Sequence, residues 1–371
     1  MKNIVLIFLL CSFLIVGCKG DEPTAIALLP SNLQVEIIQT EEEPALVRIE
    51  ATADNENYFS FMFEDGDQTE TKEDDAQAEH SYIQSGTYAI RTRAHLTSSQ
   101  YIQRIDSITI TLDPTSNPSG IPLKGYSTPM SYPDYQLVWN DEFGGTALNQ
   151  DDWNYELGHR GGWGNNELQY YTRENTSVAD GYLTITAKQQ SLGGQQYTSS
   201  RLTTQGKQSF EYGRVDIRAA LPKGQGLWPA LLMLGESIAT DGWPKCGEID
   251  IMEMVGGSPG NIANKSVHGT IHWDAGHHAS TGGSTTTTKK DLNTEFHVYT
   301  MVWEANSIRW LLDDRQYYAA NISAAEMDEF RAKFFFIFNI AVGGNWPGSP
   351  DNTTEFPQKM HVDYIRMFQK K

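Results

Sequence analysis

The chain has 371 residues, 39% hydrophobic and 20% charged, an ordinary globular composition with enough apolar material for a sizeable core. At about 150 residues per domain, that length suggests two domains or three. Lys plus Arg number 28 against 47 Asp plus Glu, a formal charge of -19, which argues against a nucleic-acid partner, because phosphate backbones are held by cationic neutralisation. All 9 tryptophans lie at or after Trp139, so the first third of the chain is built differently from the rest.

The chain begins with Lys2 and a short apolar run from Ile4 to Leu10, continued by Phe13 to Val16. One positive charge before a run too short to span a bilayer reads as a secretory signal over residues 1–17. The ending Ile15-Val16-Gly17-Cys18 resembles a bacterial lipobox, which implies that Cys18 becomes the lipidated first residue. The plain alternative is ordinary signal cleavage with Cys18 as a bystander. Lys19-Gly20-Asp21-Glu22 resembles the export signal of surface lipoproteins in the Bacteroidota, implying the outer membrane and cell surface of a Gram-negative bacterium. Membrane contact is then through the lipid anchor alone. With Cys18 acylated, Cys246 has no disulfide partner, so stability must come from the core.

Residues 24–113 read as short alternating strands, among them Leu33 to Ile37, Ala45 to Ala51 and Tyr58 to Phe63. The 14 Asp and Glu between Glu41 and His80 form a solvated acidic surface. Phe63-Glu64-Asp65-Gly66-Asp67, His80-Ser81-Tyr82 and Gly86-Thr87-Tyr88 resemble a PKD-type domain, implying a small immunoglobulin-like β-sandwich whose aromatics are core rather than a sugar platform. Five prolines among Ser and Gly in residues 114–135 predict a semi-extended linker.

From residue 136 to 371 strand patterns dominate, as in Tyr182 to Ala187, Gly213 to Arg218, Val298 to Trp303 and His361 to Met367. Turn residues separate them at short intervals, which predicts an all-β sandwich or jelly roll. Only Ser323 to Lys333 looks helical, with Ser323 and Glu326 placed as a capping box. The His-, Gly- and Thr-rich tract from Gly276 to Lys290 reads as a loop.

The sharpest feature is Gly247-Glu248-Ile249-Asp250-Ile251-Met252-Glu253, with three carboxylates at i, i+2 and i+5. On a helix, positions five apart lie about 140° apart and share no face. On a regular strand Glu248 and Asp250 share a face and Glu253 points away. A one-residue bulge near Met252 brings Glu253 back beside them. Carboxyls on one concave face suit retaining glycoside hydrolysis, one as nucleophile and a protonated one as acid. A Ca²⁺ site or an exposed acidic strand are the other readings; a calcium loop needs turn residues and Gly among its ligands, whereas Ile249, Ile251 and Met252 demand a packed back face.

The stretch Trp243 to Glu253 resembles the catalytic signature of glycoside hydrolase family 16. The resemblance extends over nearly all of residues 136–371, including Trp139-Asn140-Asp141-Glu142-Phe143, Trp163-Gly164-Asn165-Asn166-Glu167, Gly226-Leu227-Trp228-Pro229, His268-Gly269-Thr270-Ile271-His272 and Gly343-Gly344-Asn345-Trp346-Pro347. It implies a concanavalin-like β-jelly-roll sandwich, with Glu248 as nucleophile, Asp250 as assisting carboxylate and Glu253 as general acid/base. Met252 places the chain with the bulged, laminarinase-containing branch, which implies endo-hydrolysis of β-1,3-glucosidic bonds in laminarin or mixed-linkage glucan.

A glucan cleft needs flat aromatics and fixed polar partners. Trp243 resembles the family's stacking platform, Trp228 is read as cleft-facing, and Asn165 and Arg201 resemble its polar contacts to the sugar. His272 is placed to bond Asp250 or substrate, or else is structural like His268, and Trp346 flanks the leaving-group side. Trp139, Trp153, Trp303 and Trp310 read as scaffold. Many family members hold a structural Ca²⁺; the matching positions are Glu142, Gly181 and Asp363, partly through backbone oxygens. Catalysis itself is expected to need no cofactor. The implied partner is a β-glucan polysaccharide or oligosaccharide bound by a monomer. The alternatives are another family specificity (a galactan hydrolase or a transglycosylase) and a non-catalytic surface glycan-binding lipoprotein.

Overall fold

The computed structural model describes residues 28–39, 45–64, 71–73, 76–82, 85–111, 121–122, 124–287 and 291–371. The signal sequence, Cys18 and the Asp65-Gly66-Asp67 turn lie outside the described residues. The chain divides into two compact units, Met1–Ser119 and Gly120–Lys371.

In the first unit an antiparallel sheet of Ser31–Gln39, Leu46–Asp54 and Gln77–Ser81 faces a second of Thr71–Glu73, Tyr58–Glu64, Gly86–Thr97 and Gln100–Ile110. Strict alternation along Leu46–Asp54 sends Val47, Ile49 and Ala51 inward, where they meet Phe59, Phe61, Phe63, Tyr82 and Ile90. The aromatics of this unit therefore build its core.

The second unit is a two-sheet antiparallel sandwich. The backing sheet runs in the order Thr176–Ala179, Tyr182–Ala187, Gln358–Lys370, Gly213–Ala220, His297–Glu304, Ser307–Leu312, Arg315–Asn321, with Tyr135–Asp141 also on Gln358–Lys370. The cleft-bearing sheet runs His278–Thr286, Ser266–Asp274, Glu248–Glu253, Leu227–Gly235, Phe334–Val342, Arg201–Thr203, Asn154–Tyr155. Between them lies one apolar cluster containing Trp153, Trp303, Trp310, Ile249, Ile251, Met252, Phe336 and Phe338. Burying one such side chain contributes roughly 1.5–3 kcal/mol, and a core of this extent holds the unit together without a disulfide; Cys246 is a free, buried thiol.

Three sequence expectations are corrected here. Residues 124–135 are a strap on the second unit rather than linker: Lys124 O and Tyr126 N pair with Phe296, Thr128 N bonds Tyr364 Oη at 2.8 Å, and Tyr132 Oη donates to Asp216 at 2.7 Å. Gly125 permits this close approach, since a Cβ there would stand 2.1 Å from Phe296 O. The expected helix is a kinked 3-10 segment, Ala325–Arg331, with no side-chain cap; Met327 and Phe330 point into the core, and that demand outweighs helix continuity. The expected loop contains a regular edge strand, His278–Thr286, because its Ser and Thr alternate in exposure and pair residue for residue with Ser266–Asp274.

Both Glu142 oxygens accept from Arg366 (2.8 and 2.7 Å) and Asp363 accepts from Arg218 at 2.6 Å. Gly181 sits at φ 80° in the turn before Tyr182. Arg366 and Arg218 thus hold the two side-chain carboxylates, so a cation at these positions would be taken by backbone carbonyl oxygens.

Candidate active site

The site is set by a defect in one strand. Against Ser266–Asp274, Asp250 faces Thr270 and Glu253 faces His268, so Ile251 and Met252 together oppose the single residue Gly269. Against Leu227–Gly235, Asp250 faces Leu232 and Met252 faces Leu231, so the extra residue on that side is Ile251. Both extra side chains, 1% and 0% exposed, go into the core. The bulge thereby turns Glu253 to the face that carries Glu248 and Asp250.

A bulge leaves ladder groups without partners, and here the core supplies one: Trp310 Nε1 donates to Asp250 O at 2.8 Å. The indole reaches that carbonyl by lying under Gly269, where a Cβ would stand 2.3 Å from Trp310 Cδ1. Gly269→Ala is therefore expected to displace Trp310, cost about 1–3 kcal/mol and lower activity more than other destabilising changes of equal size. Thermal melts beside kcat check this; a variant with unchanged Tm and kcat contradicts it.

The cleft holds about 670 Å³ and is lined by Trp163, Asn165, Arg201, Trp228, Trp243, Glu248, Glu253, His272, His278, Asn339 and Trp346 among others. All six expected substrate residues line it, together with both outer carboxylates. A second hollow of similar size, about 610 Å³ beside Tyr126 and Tyr317, has no carboxylate pair of this kind and is set aside as the reaction site.

Two tryptophans do more than offer a flat ring. Trp243 Nε1 donates to Glu248 Oε2 at 2.5 Å, and Trp228 Nε1 donates to Glu253 Oε1 at 2.9 Å. Trp243 is 49% exposed, so it keeps a free face toward the cleft while it orients Glu248. Trp346, 45% exposed, meets Trp228 and His268 edge-on, continuing the aromatic wall beyond Glu253. His272 Nε2 stands 3.2 Å from Asp250 Oδ2, a charge contact without the alignment of a hydrogen bond.

The electrostatics separate the roles. Glu253 is held well above the usual carboxylate range by burial first, then by the charges of Asp250 and Glu248; the Trp228 donor opposes this only in part. Asp250 is raised by burial, then by the charge of Glu248 and a hydrogen bond to it. Neither Asp250 oxygen receives a hydrogen bond, which costs a buried carboxylate dearly and a neutral acid little. Burial and the neighbouring charge thus favour the neutral form of Asp250.

An acid raised in the folded state carries no penalty below its ordinary range near about pH 4, and a growing one as pH rises toward its folded value. Asp250→Asn removes the penalty, so it is expected to gain roughly 1–2 kcal/mol of stability near about pH 8 and almost none near about pH 4. An equal Tm difference at both pH values contradicts the protonation assigned to Asp250.

The other end of the cleft is a polar network that sequence reading found only in part. Arg201 donates from Nε to Glu156 at 2.7 Å and from Nη1 to Asn339 at 3.1 Å, with its guanidinium 5.1 Å from the Trp163 ring. Asn165 Nδ2 reaches Glu167 Oε1 at 3.3 Å, and Glu167 also accepts from Gln169 and Tyr171. Burial raises the Glu167 carboxyl. Asn339 carried a signal that was overlooked: it is the single polar residue in the strand Phe334–Val342. Glu167 lay in view beside Asn165 and Asn166. His278 was hidden in the tract read as loop.

An all-β sandwich with a tryptophan-walled cleft and two carboxyls on one bulged strand, one of them raised by burial, defines a glycoside hydrolase. The chain belongs to the glycosyl hydrolases family 16, whose model matches residues 164–366. A second model, that of the beta-glucan synthesis-associated proteins SKN1/KRE6/Sbg1, matches residues 79–246 and stops before the carboxylates. A beta-glucanase of Rhodothermus marinus is 43% identical over 64% of this chain and 86% of its own length. The clotting factor G alpha subunit of Tachypleus tridentatus is 40% identical, over 64% of this chain but only 34% of that protein, so the chain spans about a third of it. The solved catalytic domain of an endo-1,3-beta-glucanase (laminarinase) from Thermotoga petrophila superposes with a TM-score of 0.60 at 42% identity, over 64% of this chain and 99% of that one.

Proposed function

We propose that the protein is an endo-β-1,3-glucanase that cleaves laminarin-type and mixed-linkage β-glucans with retention of anomeric configuration. The observation that carries this reading is the bulge at Ile251 and Met252, which brings Glu248 and a Glu253 carboxyl raised by burial to one face of a tryptophan-walled cleft. Glu248 attacks the anomeric carbon while Glu253 gives its proton to the departing glycosidic oxygen, forming a glycosyl ester on Glu248. Glu253, now a carboxylate, takes a proton from water; the water oxygen attacks the same carbon and Glu248 leaves with its bond electrons. Asp250 assists from the same strand face, and the Trp243 N–H fixes one oxygen of the nucleophile. The two carboxyls supply both nucleophile and proton, so the steps draw on no metal or organic cofactor.

The similarity to beta-glucanases and to a laminarinase structure supports the glucan substrate. Reducing ends released from laminarin, lichenan, agarose and carrageenan test it: highest turnover on laminarin is expected. A preference for either galactan points to the galactan-cleaving alternative, glucan products longer than the substrate to a transglycosylase, and no turnover on any of them to a glycan-capture protein.

The lipobox motif supports an outer-membrane lipoprotein displayed at the cell surface, anchored through Cys18 behind a PKD-type spacer. Radiolabelled palmitate entering the wild-type protein but not Cys18→Ser is the expected result, and labelling of both overturns the anchor.

A further inference from the structure

His278 is exposed at the start of the edge strand His278–Thr286, where register sets it opposite Asp274 rather than beside the carboxylates. Its ring nevertheless reaches the site. His278 Nε2 lies 2.8 Å from His272 Nδ1, and the two rings stack at 5.1 Å with 21° between their planes. The same ring packs 4.6 Å from Trp243, the donor to Glu248. One side chain thus touches both groups that contact the nucleophile and its assisting carboxyl.

The hydrogen on His272 decides what Asp250 can do. A neutral imidazole carries one N–H, and the partner of one nitrogen fixes the state of the other. Among the described residues His278 is the polar partner of His272 Nδ1. If His278 Nε2 carries the hydrogen, His272 Nδ1 accepts it, and the N–H of His272 is forced onto Nε2, facing Asp250 Oδ2 at 3.2 Å. That N–H presents a positive edge to the Asp250 carboxyl, whereas in the opposite tautomer a bare nitrogen lone pair faces it at the same distance.

Resting on the hydrolase reading, we infer that His278 is a positioning residue that fixes the tautomer of His272 and through it holds the Nε2–H against Asp250, beside the nucleophile. It does not take part in bond making. Because the effect is on the reacting geometry rather than on sugar binding, it falls on kcat.

The test uses the full chain on laminarin, with wild-type turnover as the separate check of the hydrolase reading. His278→Leu is expected to lower kcat about ten- to a hundredfold with KM changed less than about twofold. His278→Gln, whose amide N–H can replace Nε2–H, should regain most of the loss. In a His272→Leu background, His278→Leu should cost almost nothing more, because the two act as a unit. Nitrogen-15 shifts of the His272 ring should show Nε2 protonated in the wild type and a mixture of tautomers in His278→Leu; this reading holds even where the double variant is too slow to assay. The inference is overturned by a loss in KM instead of kcat, by Gln performing no better than Leu, by equal losses in both backgrounds, or by a His272 tautomer indifferent to residue 278.

Discussion

Glu248→Ser is expected to lower laminarin turnover by at least about 10⁴-fold while leaving the fold and glucan binding in place. On the proposed mechanism the nucleophile has no substitute: Asp250 is 1% exposed with its carboxyl raised by burial, and Glu253 serves the leaving oxygen. A serine hydroxyl at that position lacks an adjacent base and is shorter by an ethylene and a carboxyl oxygen. The cleft around it is otherwise complete, since Trp228, Trp346, Asn165 and Arg201 are held by partners of their own. Trp243 loses its hydrogen-bond partner. Isothermal titration with a laminarin oligosaccharide should therefore still register binding, and Tm should rise or stay level as a negative charge leaves an acidic cluster. Substantial residual turnover means that another group attacks the anomeric carbon.

Glu253→Gln divides substrates by leaving group. An alcohol leaving from a glucan chain needs the proton, so kcat on laminarin should fall about 10²–10⁴-fold. An aryl leaving group that departs as a stable phenolate needs no proton, and its first step should be nearly untouched. Water attack in the second step still lacks its base, so the glycosyl ester should accumulate and a burst of phenolate should appear. Added azide, an anion needing no base, should release the ester as a glycosyl azide. Similar losses on both substrate types remove Glu253 from the role of acid. The amide keeps an oxygen for the Trp228 N–H, so the wall of the cleft should survive the change.

What the sequence discloses and what it conceals follow from the kind of order involved. The bulge was legible because strand periodicity is local: carboxylates at i, i+2 and i+5 share a face only if one residue is spare, and the structure places the spare residue at Ile251 and Met252. The two-sheet architecture was legible from alternation and turns. What the rings do at the site was not. Trp228 and Trp243 could be picked out as aromatics near the carboxylates, but their N–H bonds to Glu253 and Glu248 span 25 and 5 residues and depend on how strands cross. Arg366 and Arg218 likewise reach back across the sheet to claim Glu142 and Asp363, from 224 and 145 residues away. No spacing rule foretells such pairings, and they decide whether a carboxylate is free for a cation. His278 was obscured by composition: a Gly-, Ser- and Thr-rich tract reads as loop, yet pairing with a neighbouring strand orders it. The 3-10 segment Ala325–Arg331 shows the same hierarchy, with a capping pattern overridden by the burial of Met327 and Phe330.

The geometry of the bulged strand makes one stereochemical statement. With nucleophile and acid on a single strand face, the sugar is inverted twice, and the new reducing end must first appear in the configuration of the bond that was broken. Proton NMR of the anomeric region during the first minutes of laminarin digestion reads this directly. β-Anomeric reducing ends should grow first and the α form only later, by mutarotation. Early α signal contradicts the double displacement and the pairing of Glu248 with Glu253 on which it depends.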